Sequence, residues 1–103
     1  QVIQERALML TSQRGLDESR ESGAPGAATS IFKLVGSTLA KEGAQLKSTL
    51  RGTAGLGWEG DEFSVEELES TRSWLRDRAV TVYGGTNEVQ QNIIAKRVLG
   101  LPD

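Results

Sequence analysis

The stretch VYGGTNEVQQNIIAKRVLGLP, residues 82–102, decides the fold of this chain. Two adjacent glycines, Gly84 and Gly85, interrupt the apolar pattern, and a helix is predicted to begin directly after them. Thr86 is placed to cap that helix, and Glu88 lies in its first turn, where an acid complements the positive end of the helix dipole. The helix is expected to end at Gly100. Its apolar stripe, which is expected to be buried, consists of Val89, Ile93, Ile94 and Val98.

Two long helices are predicted in the first half of the chain. The first covers about residues 2–22 and ends in the stretch SGAPG, 22–26. The second covers about residues 25–50. Gly36 and Gly43 lie inside the second helix, where each costs about 1 kcal/mol relative to alanine. Close approach by a neighbouring helix is the expected compensation, and a local kink of the helix is the alternative.

A glycine-rich loop at 51–63 separates the second helix from a third. Ser64 and Glu67 predict a capping box at the start of the third helix. Its apolar face is expected to continue as far as Val82. The four helices together predict an all-α fold, an antiparallel helical bundle with short connections.

Composition bounds the function before any motif is considered. The chain has 103 residues, with 12 lysines and arginines against 14 aspartates and glutamates, and neither cysteine nor histidine. The balanced charge predicts no nucleic-acid partner. The missing residue types exclude disulfides, thiolate or imidazole metal sites, and histidine-based catalytic triads. No apolar run approaches the ~20 residues of a membrane span, so we expect no membrane partner and a cytoplasmic location.

The first residues, QVIQERALML, carry no helix start signal before the helical pattern begins. We therefore expect a chain entered inside a helix, which is a fragment with its upstream part missing. The alternative is a whole small domain whose N-terminus has been trimmed.

The glycine-rich turns at 52–60 and 84–85 are the candidate binding features. Glycine permits positive φ and lets a ligand approach the backbone closely. The N–H groups at the start of a helix can meet an anionic or acceptor-rich group. Taken alone, each turn is a weak signal, because a glycine-bearing connection between helices is more often a plain connection than a ligand site.

The string YGGTNEVQQNIIAKRVLGLP resembles the C-terminal signature of the acyl-CoA dehydrogenases, which are flavoenzymes. SIFKLVGSTLAKEGAQL resembles the preceding helix of that family, with Ser30 and Lys33 in the expected places, and LRGTAGLG resembles the glycine-rich loop after it. The resemblance covers essentially the whole chain. It implies that residues 1–103 are the later helices of the C-terminal bundle of a longer enzyme. The matched signature residues are Tyr83, Gly85, Thr86, Glu88, Gln91, Ile93, Ile94, Ala95, Arg97, Leu99 and Gly100.

The resemblance implies a flavin-dependent oxidation of an acyl-CoA thioester. Members of the family bind FAD between the bundle and the upstream domains, at a subunit interface, so a homo- or hetero-oligomer is implied as well. A carboxylate removes the α-proton while the β-hydrogen leaves as hydride to the flavin, which gives a trans-2-enoyl-CoA. The flavin carries the redox chemistry, and the protein places and tunes it.

The same resemblance implies which residues contact FAD. Gly85, Thr86 and Glu88 are expected at the cofactor of their own subunit. Gly52 and Thr53 correspond to a loop that touches the dinucleotide of a neighbouring subunit. Two simpler alternatives stay open: Thr86 as a plain N-cap, and Glu88 as a partner of the helix dipole alone.

Gly84 departs from the family pattern, because many relatives carry the catalytic glutamate at this position. We therefore expect no catalytic residue in this chain. In one explanation the base lies on an earlier bundle helix and the glycine leaves room for a bulky acyl group. In a second, a partner subunit supplies the base. In a third, the protein has lost dehydrogenase activity or uses the fold for related flavin chemistry.

A non-catalytic helical interaction or oligomerisation module that matches the family by chance is the alternative from a different functional class. The region encoded upstream of Gln1 discriminates between the two. An enzyme requires a further helical domain, a β-domain and a glutamate-bearing helix there. An independent module requires a start codon close by.

Overall fold

Helices account for most of the computed structural model, which describes residues 1–23 and 29–102. The α-helices are α1 (Val2–Ser22), α2 (Thr29–Leu50), α3 (Val65–Arg76) and α4 (Asn87–Ile93). Two 3-10 helices, Gly52–Leu56 and Ala79–Thr81, follow α2 and α3, and a π-helical turn, Ile94–Val98, continues α4. The described ranges contain no β-strand, so the predicted all-α class is confirmed. The predicted start of the second helix near Pro25 lies outside the described residues.

Helices α1 and α2 pack antiparallel, with side chains of α1 lying against two glycines of α2. Gln1 Nε2 donates to the carbonyl oxygen of Leu39 over 3.2 Å. A Cβ on Gly43 would lie 2.7 Å from that same nitrogen, and a Cβ on Gly36 would lie 3.6 Å from a Leu8 methyl group. Since α1 passes this close to both glycines, the predicted close approach of a neighbouring helix is confirmed.

The start of α3 follows the capping-box prediction. Ser64 Oγ accepts from the Glu67 N–H at 3.2 Å, and a Glu67 carboxylate oxygen accepts from the Ser64 N–H at 2.8 Å. The preceding stretch was predicted as loop throughout, but Gly52–Leu56 forms a 3-10 helix within it. That short helix packs against both α2 and α3, which accounts for its regular structure.

The end of α3 differs from the prediction, because the α-helix stops at Arg76 and does not carry its face to Val82. Three β-branched residues, 80–82, follow this point and disfavour further α-helix. The carbonyl oxygen of Val80 also accepts a hydrogen bond from Lys33 Nζ on α2. The accepting carbonyl lies within the Ala79–Thr81 3-10 helix, where the chain has already left α3.

Helix α4 starts after Thr86 as predicted, but its apolar stripe is only partly covered. Val89 is 47% exposed and Val98 is 40% exposed, whereas the buried residue of α4 is the polar Gln90. The expected burial of the whole stripe is therefore wrong. The π-helical turn, closed by the Leu99 N–H on the Ile94 carbonyl, also rotates the last residues away from the α-helical register.

The apolar core of the described residues is small. Leu39 and Ala44 are its buried apolar side chains, and the largest exposed fractions include Ile3 and Leu50. The accessible surface is 7347 Å², whereas a compact monomer of 11.1 kDa exposes about 5,700 Å². The chain therefore presents a large apolar surface on which further protein can pack. None of its described helices combines the length and hydropathy needed to cross a bilayer.

Candidate functional site

The double-glycine turn, residues 83–86, has a backbone conformation that glycine adopts more easily than other residues. The φ angles are +67° at Gly84 and +92° at Gly85, both in the left-handed region. A Cβ on Gly85 would lie 2.6 Å from Gln90 Nε2, a separation that real Cβ atoms essentially never show. A Cβ on Gly84 would lie 3.7 Å from Lys33 Cε, which is ordinary contact. Both φ angles favour glycine, and at Gly85 a Cβ would in addition force the end of the Gln90 side chain to shift.

Two side chains of α2 reach the two sides of this turn. Lys33 Nζ donates to the Val80 carbonyl and lies 5.7 Å from the centroid of the Tyr83 ring. Ser37 is buried, and its Oγ donates to Asn87 Oδ1 over 3.0 Å. Side chains of α2 thus hold the turn on one side, and its other side remains accessible to solvent.

Several hydrogen-bond donors at the start of α4 have no acceptor among the described residues. Thr86 Oγ1 accepts from the Val89 N–H over 3.3 Å, so the predicted N-cap is confirmed. Among the described residues, no acceptor takes the Thr86 hydroxyl hydrogen or the N–H groups of Asn87 and Glu88. Glu88 is exposed and forms no ion pair with any described residue. A ligand rich in acceptors would meet a hydroxyl and two N–H donors here.

The second predicted contact region, Gly52 and Thr53, lies far from the double-glycine turn. Both residues are exposed in the first 3-10 helix, and Gly52 has a φ of +56°. They follow the C-terminal end of α2, whereas the turn is held near residue 35. At 1.5 Å per residue, α2 separates the two regions by about 24 Å. One copy of the chain does not bring them together.

The surroundings of Gly84 contain a cation and no acid. Lys33 Cε is the neighbour within 4 Å of a Cβ built at this position, and the described residues bring no carboxylate oxygen that close. They also contain no group of three acidic residues placed to hold a metal ion. The turn by itself therefore offers a binding surface without a general base.

An open groove of about 1030 Å³ lies between α1, α2 and α3, away from the turn. Apolar residues such as Leu39 and Leu46 line it together with charged ones such as Glu5 and Arg76. Ser70, another lining residue, has a buried hydroxyl oxygen with no hydrogen-bond partner among the described residues. None of the residues predicted to bind FAD lines this groove, which we interpret as a packing surface and not as the ligand site.

Three residues that hold the turn were not singled out as functional from the sequence. The family resemblance matched Gln91, which is exposed, whereas the neighbouring Gln90 is 8% exposed and packs beneath Gly85. Lys33 and Ser37 are the other two. The sequence did contain a signal for Lys33 and Ser37. Two polar residues four positions apart inside an apolar helix predict a polar contact on one face of that helix.

A model of the acyl-CoA dehydrogenase C-terminal domain matches residues 2–99, which is nearly the whole chain. The chain belongs to the acyl-CoA dehydrogenase family. The family membership implied by the YGGTNE stretch is therefore confirmed, and the all-α fold agrees with it.

Two curated acyl-CoA dehydrogenases each align with this family member over 72 residues. Acyl-CoA dehydrogenase IpdE1 of Mycolicibacterium smegmatis is 44% identical over 70% of this chain and 17% of its own length. Acyl-CoA dehydrogenase IpdE1 of Mycobacterium tuberculosis is 40% identical over 70% of this chain and 18% of its own length. The chain thus matches less than a fifth of either relative. No solved structure gives a significant match.

Proposed function

We propose that this chain forms one wall of the FAD site in an enzyme that oxidises acyl-CoA thioesters to trans-2-enoyl-CoA. The observation that carries the proposal is the double-glycine turn. Its two glycines have positive φ angles and stand directly before the hydrogen-bond donors of α4 that have no acceptor among the described residues. This turn lies within the segment that matches the family.

The residues present fit an acceptor-rich dinucleotide at the turn. The Thr86 hydroxyl and the N–H groups of Asn87 and Glu88 would donate to it. The Glu88 carboxylate, which can only accept, would take a hydrogen bond from a ribose hydroxyl or an adenine amine. FAD, when bound, supplies the acceptor for the β-hydrogen, which leaves as hydride.

Gly52 and Thr53 belong to a different FAD molecule in this proposal. Their separation of about 24 Å from the turn, estimated along α2, favours contact with the cofactor of a neighbouring subunit. The large exposed apolar surface supports such an assembly, because surfaces of this kind are typical of protein–protein contacts. A homo- or hetero-oligomer is therefore part of the proposal. The cytoplasmic location remains a prediction.

The base that removes the α-proton lies outside this chain in the proposal. A Cβ at Gly84 would meet only Lys33 Cε, at the ordinary contact distance of 3.7 Å, and no carboxylate of the described residues comes within 4 Å of it. A glutamate on an upstream helix of the same polypeptide, with the space left for a bulky acyl group, is the assignment that we adopt. A base supplied by a partner subunit is the competing assignment.

The test uses the complete polypeptide that carries this chain. Flavin absorbance should survive gel filtration, and a panel of acyl-CoA thioesters of different length and branching should reduce an artificial electron acceptor. Thr86→Val should lower flavin occupancy, whereas Thr11→Val is the matched control, because Thr11 bonds only within α1.

The outcomes of this test discriminate between the functional hypotheses. Absence of both flavin and activity would favour the helical interaction module. Bound flavin with activity only after a second subunit is co-expressed would favour the base-lacking subunit. Unchanged flavin occupancy in Thr86→Val would leave Thr86 as an N-cap alone.

A further inference from the structure

We infer that Lys33 and Ser37 are positioning residues, which hold the double-glycine turn in the conformation that the ligand requires. The effect on cofactor binding rests on the proposed function, whereas the effect on the turn itself does not. Both residues lie on α2, four positions apart, so their side chains leave the same face of that helix.

The two hydrogen bonds bracket the glycines. Lys33 Nζ donates to the Val80 carbonyl, 47 residues away and ahead of the turn. Ser37 Oγ donates to Asn87 Oδ1, 50 residues away and directly after the turn. Because the chain is fixed on both sides, the glycines between them are restrained at two points.

The restraint has a clear physical purpose. Glycine has more backbone freedom than any other residue, so two consecutive glycines with positive φ favour no single conformation by themselves. A ligand that binds to a disordered turn must offset the lost entropy, whereas a pre-organised turn avoids that loss. Lys33 and Ser37 therefore contribute to affinity through the conformation of residues 83–86.

The hydroxyl of Ser37 has little capacity left for a ligand. The residue is 6% exposed, and its single hydroxyl hydrogen is shared between the Asn87 side chain at 3.0 Å and the Leu34 carbonyl at 3.1 Å. Lys33 is half-buried, with its stem beneath Gly84 and its ammonium near Tyr83. A positioning role accounts for both arrangements.

Amide hydrogen exchange on the flavin-free complete polypeptide tests the inference without any activity measurement. The reporters ahead of the glycines are the N–H groups of Val82 and Tyr83, bonded to the Ala79 carbonyl at 3.0 and 3.1 Å. In Lys33→Met their exchange should accelerate by about tenfold or more, as expected from the loss of a hydrogen bond to a charged group.

The second variant reports on the other side of the turn. In Ser37→Ala, the N–H groups of Val89 and Gln90, which bond to Thr86, should exchange about fivefold faster. Lys33→Arg and Ser37→Thr keep the donors and should restore slow exchange.

The control variants lie on the same helix. Lys47→Met removes an exposed lysine, and Thr38→Val removes a hydroxyl whose one partner among the described residues is the Leu34 carbonyl of its own helix. Neither should change exchange at residues 82–90. Unchanged exchange of the α1 amides in every variant shows that the fold is intact.

FAD binding supplies the second measurement. If the proposed function holds, the FAD dissociation constant should rise in Lys33→Met and Ser37→Ala by factors similar to the exchange rates. Failure of the wild-type polypeptide to bind FAD would refute the proposed function, and the exchange data would still test the positioning role. Native exchange at residues 82–90 in both variants would overturn the inference. So would a raised acyl-CoA KM in Lys33→Met with native exchange, since Lys33 would then bind the ligand directly.

Discussion

Gly84 and Gly85 are adjacent, yet alanine at the two positions is expected to have different consequences for FAD binding. Both residues have positive φ, but only Gly85 faces a close neighbour, Gln90 Nε2 at 2.6 Å from a built Cβ. Gly85→Ala therefore combines backbone strain with a steric clash. Gly84→Ala introduces backbone strain alone and is the matched control.

The expected magnitudes follow from these two terms. An L-residue in the left-handed region costs roughly 1–2 kcal/mol, and this cost favours other conformations of the turn over the one proposed to bind FAD. Gly84→Ala should therefore cost about 1 kcal/mol. In Gly85→Ala the Gln90 side chain must also leave its rotamer, at a further cost of about 1 kcal/mol. The FAD dissociation constant should rise about fivefold in Gly84→Ala and about 30-fold in Gly85→Ala.

The assay is a fluorescence titration of FAD into the flavin-depleted complete polypeptide. A double-mutant cycle isolates the clash, because Gln90→Ala removes the side chain that the new methyl group meets. Gln90 is buried beneath Gly85, so Gln90→Ala also removes a packing contact of the turn, and the single variant measures that effect within the cycle. In the Gly85→Ala background, Gln90→Ala should recover about 1 kcal/mol of FAD affinity.

Two results would refute this reasoning. If Gly84→Ala weakened FAD binding as much as Gly85→Ala, the contact with Gln90 would have no energetic role. If the effects of Gly85→Ala and Gln90→Ala were simply additive, the two positions would not be in contact.

Three further predictions concern the cap, the start of α3 and the isolated chain. Thr86→Ser should retain flavin absorbance, because it keeps the hydroxyl. Thr86→Ala should lower helix stability by about 1 kcal/mol and weaken FAD binding, as measured by FAD titration. Equal FAD affinities in the two variants would show that the hydroxyl does not contact FAD. Ser64→Ala should lower the stability of α3 by about 1 kcal/mol, seen as faster amide exchange at residues 65–70, because the capping box is lost; native exchange would contradict this. The 103-residue chain expressed alone should bind a hydrophobic dye and elute from gel filtration without flavin, because few of its apolar residues are buried; retained flavin absorbance would show that the site is complete within it.

Much of the fold was predictable because its signals are local. The capping box at Ser64, the N-cap at Thr86 and the glycine-bearing ends of helices each involve contacts within a few residues. Apolar periodicity located the long helices for the same reason. Three expectations were wrong: the loop throughout 51–63, the end of α3 and the burial of the α4 stripe. The first two lie where α2 contacts the chain, and the third lies where a π-helical turn follows α4.

The sequence by itself determined the all-α class, the family resemblance and the absence of a carboxylate at Gly84. It also identified the turn and its cap, since these depend on neighbouring residues. Only the tertiary structure showed that Gln90 packs beneath Gly85 and that Lys33 and Ser37 hold both sides of the turn. Those α2 contacts join residues 47 and 50 positions apart, and no local pattern encodes a pairing over such a distance. The packing of α2 against the end of the chain turns a flexible pair of glycines into a defined surface.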